Sequence, residues 1–396
     1  MSEPITHLIH HPYTPPPGFA APQPGIFKAS TVIFPNVAAM LARDWKHKSG
    51  YTYGLHGTPS TFLLEERLSA LEGGTHCVLV PSGLAAIANV NLALLAAGDE
   101  VLIPDNAYGP NKALADGELK AFGIRHRLYD PMNPADLAAK ISPATRLVWL
   151  EAAGSVTMEF PDLPQLVRIC RERGVTTALD NTWGAGLAFR PFDLGDGLAV
   201  DVSAQALTKY PSGGGDVLMG SVITRDDSLH LKLKLTHMRL GLGVGANDVE
   251  TVLRSLPSIA LRYRAHDQAA RTLARWCMQQ PVFAQVLHPA LPGSPGHAHW
   301  AALCSEGGAA GLFSVMVDAR FSTGQVHAFC DALQLFKIGY SWGGPISLVV
   351  PYDLAAMRAP WPPHLERGTL VRFSIGLEDV RDLQLDLSQA AQASLR

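Results

Sequence analysis

The sequence predicts an α/β protein: a mostly parallel sheet covered by helices, joined to a smaller α+β domain at the C-terminal end. Three observations carry that expectation. Between residues 77 and 206, short apolar stretches alternate with helical ones, the pattern of parallel strands joined by crossover helices. After about Ser255 the pattern changes to one long helical stretch followed by well-separated strands. The chain also has 396 residues, 47% of them hydrophobic, more than the roughly 250–300 residues that one core ordinarily holds.

In order along the chain, residues 1–25 contain Pro12, Pro15, Pro16, Pro17, Pro22 and Pro24 and predict an extended arm. His7, His10 and His11 would share a helix face, but those prolines argue against a helix, so the three are read as solvated. The first helix is expected over residues 61–71, with Leu64, Leu68 and Leu71 on one face, Thr61 as N-cap and Gly73-Gly74 as stop. Strands are expected at 77–80, 100–103, 146–150, 176–179 and 201–206, and helices at 84–95, 134–141 and 163–173. Asn133-Pro134 and Asp162 suit helix starts, and Gly174 a helix end. The apolar run 77–98 is broken by Pro81-Ser82-Gly83 and interrupted by Asn89 and Asn91, so it reads as strand, turn and buried helix rather than a membrane span. Farther on, a helix is expected at 257–278, strands at 311–317, 346–350 and 370–375, and helices at 324–333 and 380–395. The division that follows is an arm over 1–57, a cofactor domain over 58–254 and a C-terminal domain over 255–396.

Composition excludes several classes of function. A charged fraction of 17% and a formal net charge of -3 give no electrostatic reason to expect nucleic acid or an acidic membrane as partner. Cys77, Cys170, Cys277, Cys304 and Cys330 are far apart with no CxxC. They predict buried thiols in a reducing cytosol, with no metal site and no disulfide framework. No basic region followed by an apolar stretch occurs in residues 1–18, so no signal peptide is expected. The run Gly241-Leu-Gly-Val-Gly245 has no strong strand before it and makes a poor dinucleotide fingerprint.

Ligands of such sheets bind beyond the carboxyl ends of the strands, and the residues expected there are informative. After 78–80 comes Pro81-Ser82-Gly83-Leu84, a small-residue turn whose free N–H groups suit a phosphate or merely connect two elements. After 176–179 comes Asp180, suited to a metal, to base work, to a cationic ring nitrogen, or to capping the next turn. After 201–206 comes Thr208-Lys209-Tyr210, and a desolvated lysine becomes a nucleophile unless it snorkels to the surface. After 100–103 comes Pro104-Asp105-Asn106-Ala107-Tyr108, which brings an aromatic ring to the same edge. Separately each is ordinary. Together they meet the requirements of pyridoxal 5'-phosphate: donors for the phosphate, a lysine for the aldehyde, a carboxylate for the ring nitrogen and a ring to stack on.

The chain resembles the cystathionine β-lyases, within the fold-type I, pyridoxal-phosphate-dependent enzymes of Cys/Met metabolism. The resemblance runs from Tyr51-Thr-Tyr-Gly-Leu-His-Gly-Thr58 to Gly376-Leu-Glu-Asp-Val380. Between them lie Leu71-Glu-Gly-Gly74, Pro81-Ser-Gly-Leu-Ala85, Gly154-Ser-Val-Thr-Met-Glu159, Asp180-Asn-Thr-Trp183, Thr208-Lys-Tyr210, His288-Pro-Ala-Leu-Pro-Gly293 and Tyr340-Ser-Trp-Gly-Gly344. The resemblance implies a fold-type I transferase-like architecture and β-elimination of cystathionine to homocysteine, pyruvate and ammonia. It makes Lys209 the Schiff-base lysine and proton shuttle, Asp180 the partner of the ring nitrogen, and Tyr108 the stacking ring. Gly83, Leu84 and Thr208 would hold the phosphate, and Arg372 would grip the substrate α-carboxylate, with Ser341 and Trp342 lining that pocket. Tyr53 would reach the cofactor of a neighbouring subunit, which implies a dimer at least and typically a tetramer. Sister activities on the same scaffold (cystathionine γ-lyase or γ-synthase, methionine γ-lyase), a broader cysteine-S-conjugate lyase, and a non-catalytic regulator are the alternatives.

Three departures from the family pattern stand out. Leu55 occupies the place of an arginine that helps bind phosphate across the interface, and His56 beside it is expected to replace part of that charge. Gly213-Gly214-Gly215 stands where Gly-His-Ser is common, and Glu151-Ala152-Ala153-Gly154 where Glu-Ser-Pro-Gly is more usual.

Overall fold

The computed structural model describes residues 4–13, 15–48, 50–304 and 308–396. Among these residues the strands form a seven-stranded and a five-stranded sheet. The larger comprises β1 (His76–Val80), β2 (Glu100–Pro104), β3 (Arg125–Tyr129), β4 (Thr145–Glu151), β5 (Thr176–Asp180), β6 (Val202–Ala206) and β7 (Gly220–Thr224). Its order is β1-β7-β6-β5-β4-β2-β3. The pairings between β2 and its neighbours β3 and β4, and from β4 through β5 to β6, are parallel. Only β7 runs antiparallel, to both β1 and β6. All five strands expected from the sequence in this region are present. β3 and β7 were not expected, for opposite reasons. The edge strand β3, Arg-His-Arg-Leu-Tyr, is largely exposed and has no apolar run; β7 is fully buried but opens on the small residues Gly220 and Ser221.

Among the described residues, nine α-helices accompany this half: α1 (Pro4–Ile9), α2 (Val37–Leu41), α3 (Pro59–Glu72), α4 (Gly83–Leu94), α5 (Gly109–Leu114), α6 (Pro134–Lys140), α7 (Leu163–Glu172), α8 (Asp227–Leu240) and α9 (Ala246–Ser255). Asn133 and Asp162 cap α6 and α7 as expected, and the run 77–98 is indeed β1, a turn and α4. The start of α3 differs from expectation. Thr58, not Thr61, is the N-cap; Pro59 supplies a pre-set φ at the first helical position, and Thr61 returns the bond by accepting from the Thr58 N–H at 2.7 Å. The arm is also not extended throughout, because α1 lies within it. Leu8 is 1% exposed against the main core; the six prolines named above all fall after the helix, and Pro4 stands at its start, where proline is tolerated. His11 is not simply solvated, since its Nε2 lies 3.3 Å from Glu66 Oε2; the side chain of His7 lies outside the described residues. The Gly241–Gly245 run links α8 to α9, with no strand before it.

The second sheet contains β8 (Phe283–Leu287), β9 (Leu312–Asp318), β10 (Lys337–Ile338), β11 (Leu348–Tyr352) and β12 (Gly368–Ser374), ordered β10-β11-β12-β9-β8. Its helices are α10 (Ile259–Cys277), α11 (His297–Leu303), α12 (Thr323–Ala332), α13 (Leu354–Met357) and α14 (Val380–Ser394). A buried aromatic group of Phe313, Phe329, Phe336 and Phe373 fills one face of this sheet. A larger buried core joins Leu64, Leu79 and Leu150 to Met316, Leu354 and Leu370, so the two sheets share apolar packing. No helix among the described residues is long and apolar enough to cross a membrane.

Candidate active site

Strands of the larger sheet end at a cavity of about 520 Å³, closed on the far side by residues of the second sheet. From the first half of the chain it receives Gly83, Leu84, Tyr108, Asp180, Thr208 and Lys209. Ser341, Trp342 and Arg372 come from the second. Tyr53 and His56 are not among its lining residues. Tyr53 is half exposed, and His56 borders a separate small cavity beside Leu55, Lys234 and His237. The His56 ring stacks on Trp45 at 4.9 Å, and its Nδ1 lies 2.9 Å from Thr52 Oγ1. Burial, then the charges of Lys234 and Arg43, lower its pKa and favour the neutral ring.

Lys209 stands in the turn after β6, its N–H donating to Ala206 O at 3.1 Å. The second sheet's side of the molecule grips the next residue: the Gly311 N–H donates to Tyr210 Oη at 2.7 Å, and Arg262 Nη1 to Tyr210 O at 2.7 Å. Gly343, at φ 79°, lies so close that a Cβ there would be 3.0 Å from Tyr210 N and 3.1 Å from the Lys209 carbonyl carbon. The lysine backbone is therefore clamped while its side chain reaches into the cavity. Nζ donates to Ser341 Oγ at 2.9 Å and lies 5.6 Å from the Trp342 ring centroid. Ser341 has φ 102°, a conformation uncommon outside glycine and characteristic of functional sites. Burial first, then the charge of Arg372, lower the Lys209 pKa to about 8, with Asp180 opposing.

Asp180 closes β5 and pairs in register with Glu151 at the end of β4. Thr182 donates to Asp180 Oδ1 twice, from its hydroxyl at 2.6 Å and from its N–H at 3.0 Å. Burial raises the Asp180 pKa against those two bonds. Glu151 Oε2 accepts from the Tyr108 N–H at 2.8 Å and so fixes the start of α5 and the tyrosine it carries. Burial, then the charges of Asp180 and Glu151, push the Tyr108 phenol up. Thr182 and Glu151 were missed as site residues. A threonine two residues after a strand-end aspartate is a readable turn signal; the glutamate's role depends on β4 and β5 being neighbours.

The turn into α4 has the free N–H groups that suit an anion. Ser82 Oγ caps Ala85 N–H at 3.0 Å, while the N–H groups of Gly83 and Leu84, at the first helical positions, have no intrahelical acceptor. A Cβ on Gly83 would come 2.6 Å from Ala206 Cβ, so only glycine lets the turn approach β6 this closely. Gly83→Ala is expected to cost about 1–3 kcal/mol through overpacking, read by denaturant melts, and to weaken phosphate binding, read by cofactor titration. Thr208 Oγ1 already accepts from Met219 N–H at 3.2 Å. Arg372, buried on β12, donates from Nη1 to Ser155 O at 3.1 Å and lies 5.3 Å from the Tyr352 ring centroid. The Ala152–Ala153 peptide bond beside it is cis, and Gly344 lies against the backbone of the Gly214–Gly215 loop.

This donor set fits pyridoxal 5'-phosphate. Unpaired N–H groups stand at a helix start, Asp180 Oδ2 accepts no bond from the described residues while Oδ1 takes both from Thr182, and a lysine amine lies in the same cavity. A family model for Cys/Met metabolism PLP-dependent enzymes matches residues 5–392, and the chain belongs to that family. It is 38% identical to a putative cystathionine beta-lyase of Rhizobium johnstonii, over 98% of this chain and 95% of the relative. It is 36% identical to cystathionine beta-lyase MetC of Escherichia coli K12, over 91% of each chain. Among solved structures, metB from Corynebacterium glutamicum superimposes with a TM-score of 0.88 at 26% identity, covering 99% of this chain and 98% of that one.

Proposed function

We propose that this chain is a cystathionine β-lyase, a carbon–sulfur lyase that converts L-cystathionine to homocysteine, pyruvate and ammonia. The observation that carries the reading is the meeting of Lys209, Asp180 and Arg372 in one cavity, with the amine held at Ser341 and its pKa brought down to about 8. The named activities of the relatives support it. In this reading Gly83, Leu84 and Thr208 hold the cofactor's phosphate, Asp180 its ring nitrogen, Tyr108 its ring face and Lys209 its aldehyde carbon. Bound there, the cofactor supplies an electron sink for negative charge developing at the substrate α-carbon.

The protein's own groups do the rest. Arg372 takes the substrate α-carboxylate in a bidentate fork, and Trp342 and Ser341 line the space around it. This fixes which face of the α-carbon meets Lys209. Nζ, released as a neutral amine, removes the α-proton and as an ammonium returns a proton to the departing sulfur, with the neutral Tyr108 phenol alongside. Ser341 Oγ holds Nζ between these tasks. Burial of Lys209 and Arg372 between the two sheets strengthens their contacts.

The pH dependence follows from Lys209. Capture of the cofactor by cofactor-free protein needs the unprotonated amine, so its rate should rise with pH and level off above about 8. Rapid mixing at a series of pH values checks this.

The arm over 1–57, the cofactor domain over 58–254 and the C-terminal domain over 255–396 form, in this reading, a cytoplasmic homodimer or tetramer. Ile33 at 90%, Leu41 at 70% and Val37 at 66% exposure support an arm lying on a second copy, where Tyr53 and His56 would approach the partner's cofactor. The deciding experiment is product analysis from cystathionine: pyruvate with homocysteine supports β cleavage, whereas 2-oxobutyrate with cysteine overturns it in favour of a γ-lyase.

A further inference from the structure

Part of one wall of the cavity is Met357, at the end of α13. Helix α13 and the turn after it present half-buried Met357 to the cavity and Arg358 to the interior, where its side chain is 3% exposed. Arg358 Nη1 donates to both carboxylate oxygens of Glu159 at 2.8 Å, and Nη2 to Asp105 Oδ1 at 2.8 Å. Glu159 is fully buried. It also accepts from Asn106 Nδ2 at 2.6 Å and Thr157 Oγ1 at 2.8 Å, and it pairs with His364 Nε2. Lys112 Nζ on α5 ties the two sides together, donating to Asp105 O at 2.8 Å and Met357 O at 3.4 Å. One carboxylate on the cofactor side thus holds both ends of the 358–364 turn.

Burial alone would raise the Glu159 pKa, but His364 and Arg358 hold it at about 2, so the carboxylate stays charged at neutral pH. A buried ion cluster of this kind is a weak source of net stability compared with apolar packing. What it does supply is direction, because a planar guanidinium with three fixed acceptor contacts restrains where its backbone can lie. Methionine has the opposite character: it is unbranched and adaptable, and forms a definite wall only where its backbone is fixed.

We propose that the Arg358–Glu159 clasp fixes Met357 as the wall against which the part of the substrate beyond the sulfur packs, making Met357 a determinant of substrate length and Arg358 its positioning residue. The inference rests on the carbon–sulfur lyase reading. Its test compares cystathionine with the short substrate S-methylcysteine in the parent, Met357→Ala and Met357→Phe holoenzymes, and follows backbone hydrogen exchange over residues 354–365 in Arg358→Lys.

Loss of the methionine contact should raise KM for cystathionine about 10-fold with kcat little changed. Met357→Phe should move the ratio of kcat/KM, long over short, about 10-fold toward the short substrate. Arg358→Lys, which lacks the fork, should speed exchange across 354–365 and raise KM for cystathionine, as Met357→Ala does. Ratios within about twofold of the parent in both Met357 variants, or exchange at the parent rate in Arg358→Lys, would overturn the proposal. A parent that cleaves neither substrate sinks the lyase reading and the length selection with it, and exchange in Arg358→Lys then decides the clasp alone.

Discussion

Lys209→Ala should lower cystathionine turnover by about 10⁴-fold or more, because in the proposed mechanism one amine serves as nucleophile toward the cofactor, base at the α-carbon and acid at the sulfur. Nothing adjacent substitutes for it. Ser341 Oγ, 2.9 Å away, is a hydroxyl of far higher pKa, and the Tyr108 phenol is pushed up by burial and by two carboxylates. Pyruvate release measures the turnover, and borohydride reduction followed by mass measurement reports the covalent link, present in the parent and absent in the variant. The fold should survive, since the clamp on this turn acts on backbone and on Tyr210 rather than on Nζ. A variant within tenfold of the parent would remove Lys209 from the mechanism.

Arg372→Leu is the second large effect, and it has two parts. Loss of a charge-assisted fork to the substrate carboxylate should lower kcat/KM by about 10²–10³-fold, mostly through KM. The second part is diagnostic. The Lys209 amine feels burial first and the Arg372 charge next, so removing that charge raises the Lys209 pKa. The pH profile of cofactor capture should then shift upward, since more alkali is needed to free the amine. An unshifted profile with a raised KM would confine Arg372 to substrate binding.

Much of the cofactor half could be read from sequence because its information is local. The five strands expected there are mostly apolar, Thr58, Ser82, Asn133, Asp162 and Asp226 cap their helices, and the chemistry stands within a few residues of a strand end. Asp180, Lys209 and Tyr108 could be named because a parallel sheet brings its carboxyl ends to one edge whatever the strand order. Elements whose cause is not local escaped. β3 is an exposed edge strand with no apolar run, and α1 owes its place to Leu8 docking on a core formed mostly by later residues. Arg358 gave no sign either: it sits between a methionine and an Ala-Pro in a loop, and its partners Glu159 and Asp105 lie 199 and 253 residues away in the chain. Leu55 and His56 were legible as a departure, yet in one chain they border a different cavity from Lys209.

The grip on Tyr210 has a consequence for motion. Gly311, Arg262 and Gly343, all from the C-terminal part of the chain, hold the residue beside the reactive lysine, and Ser341 holds its tip. Because the Lys209 N–H also donates to Ala206 O at the end of β6, the two sheets cannot separate here without breaking one of these bonds. In the proposed mechanism, the spacing between this lysine and the arginine on β12 therefore depends on the two sheets staying together.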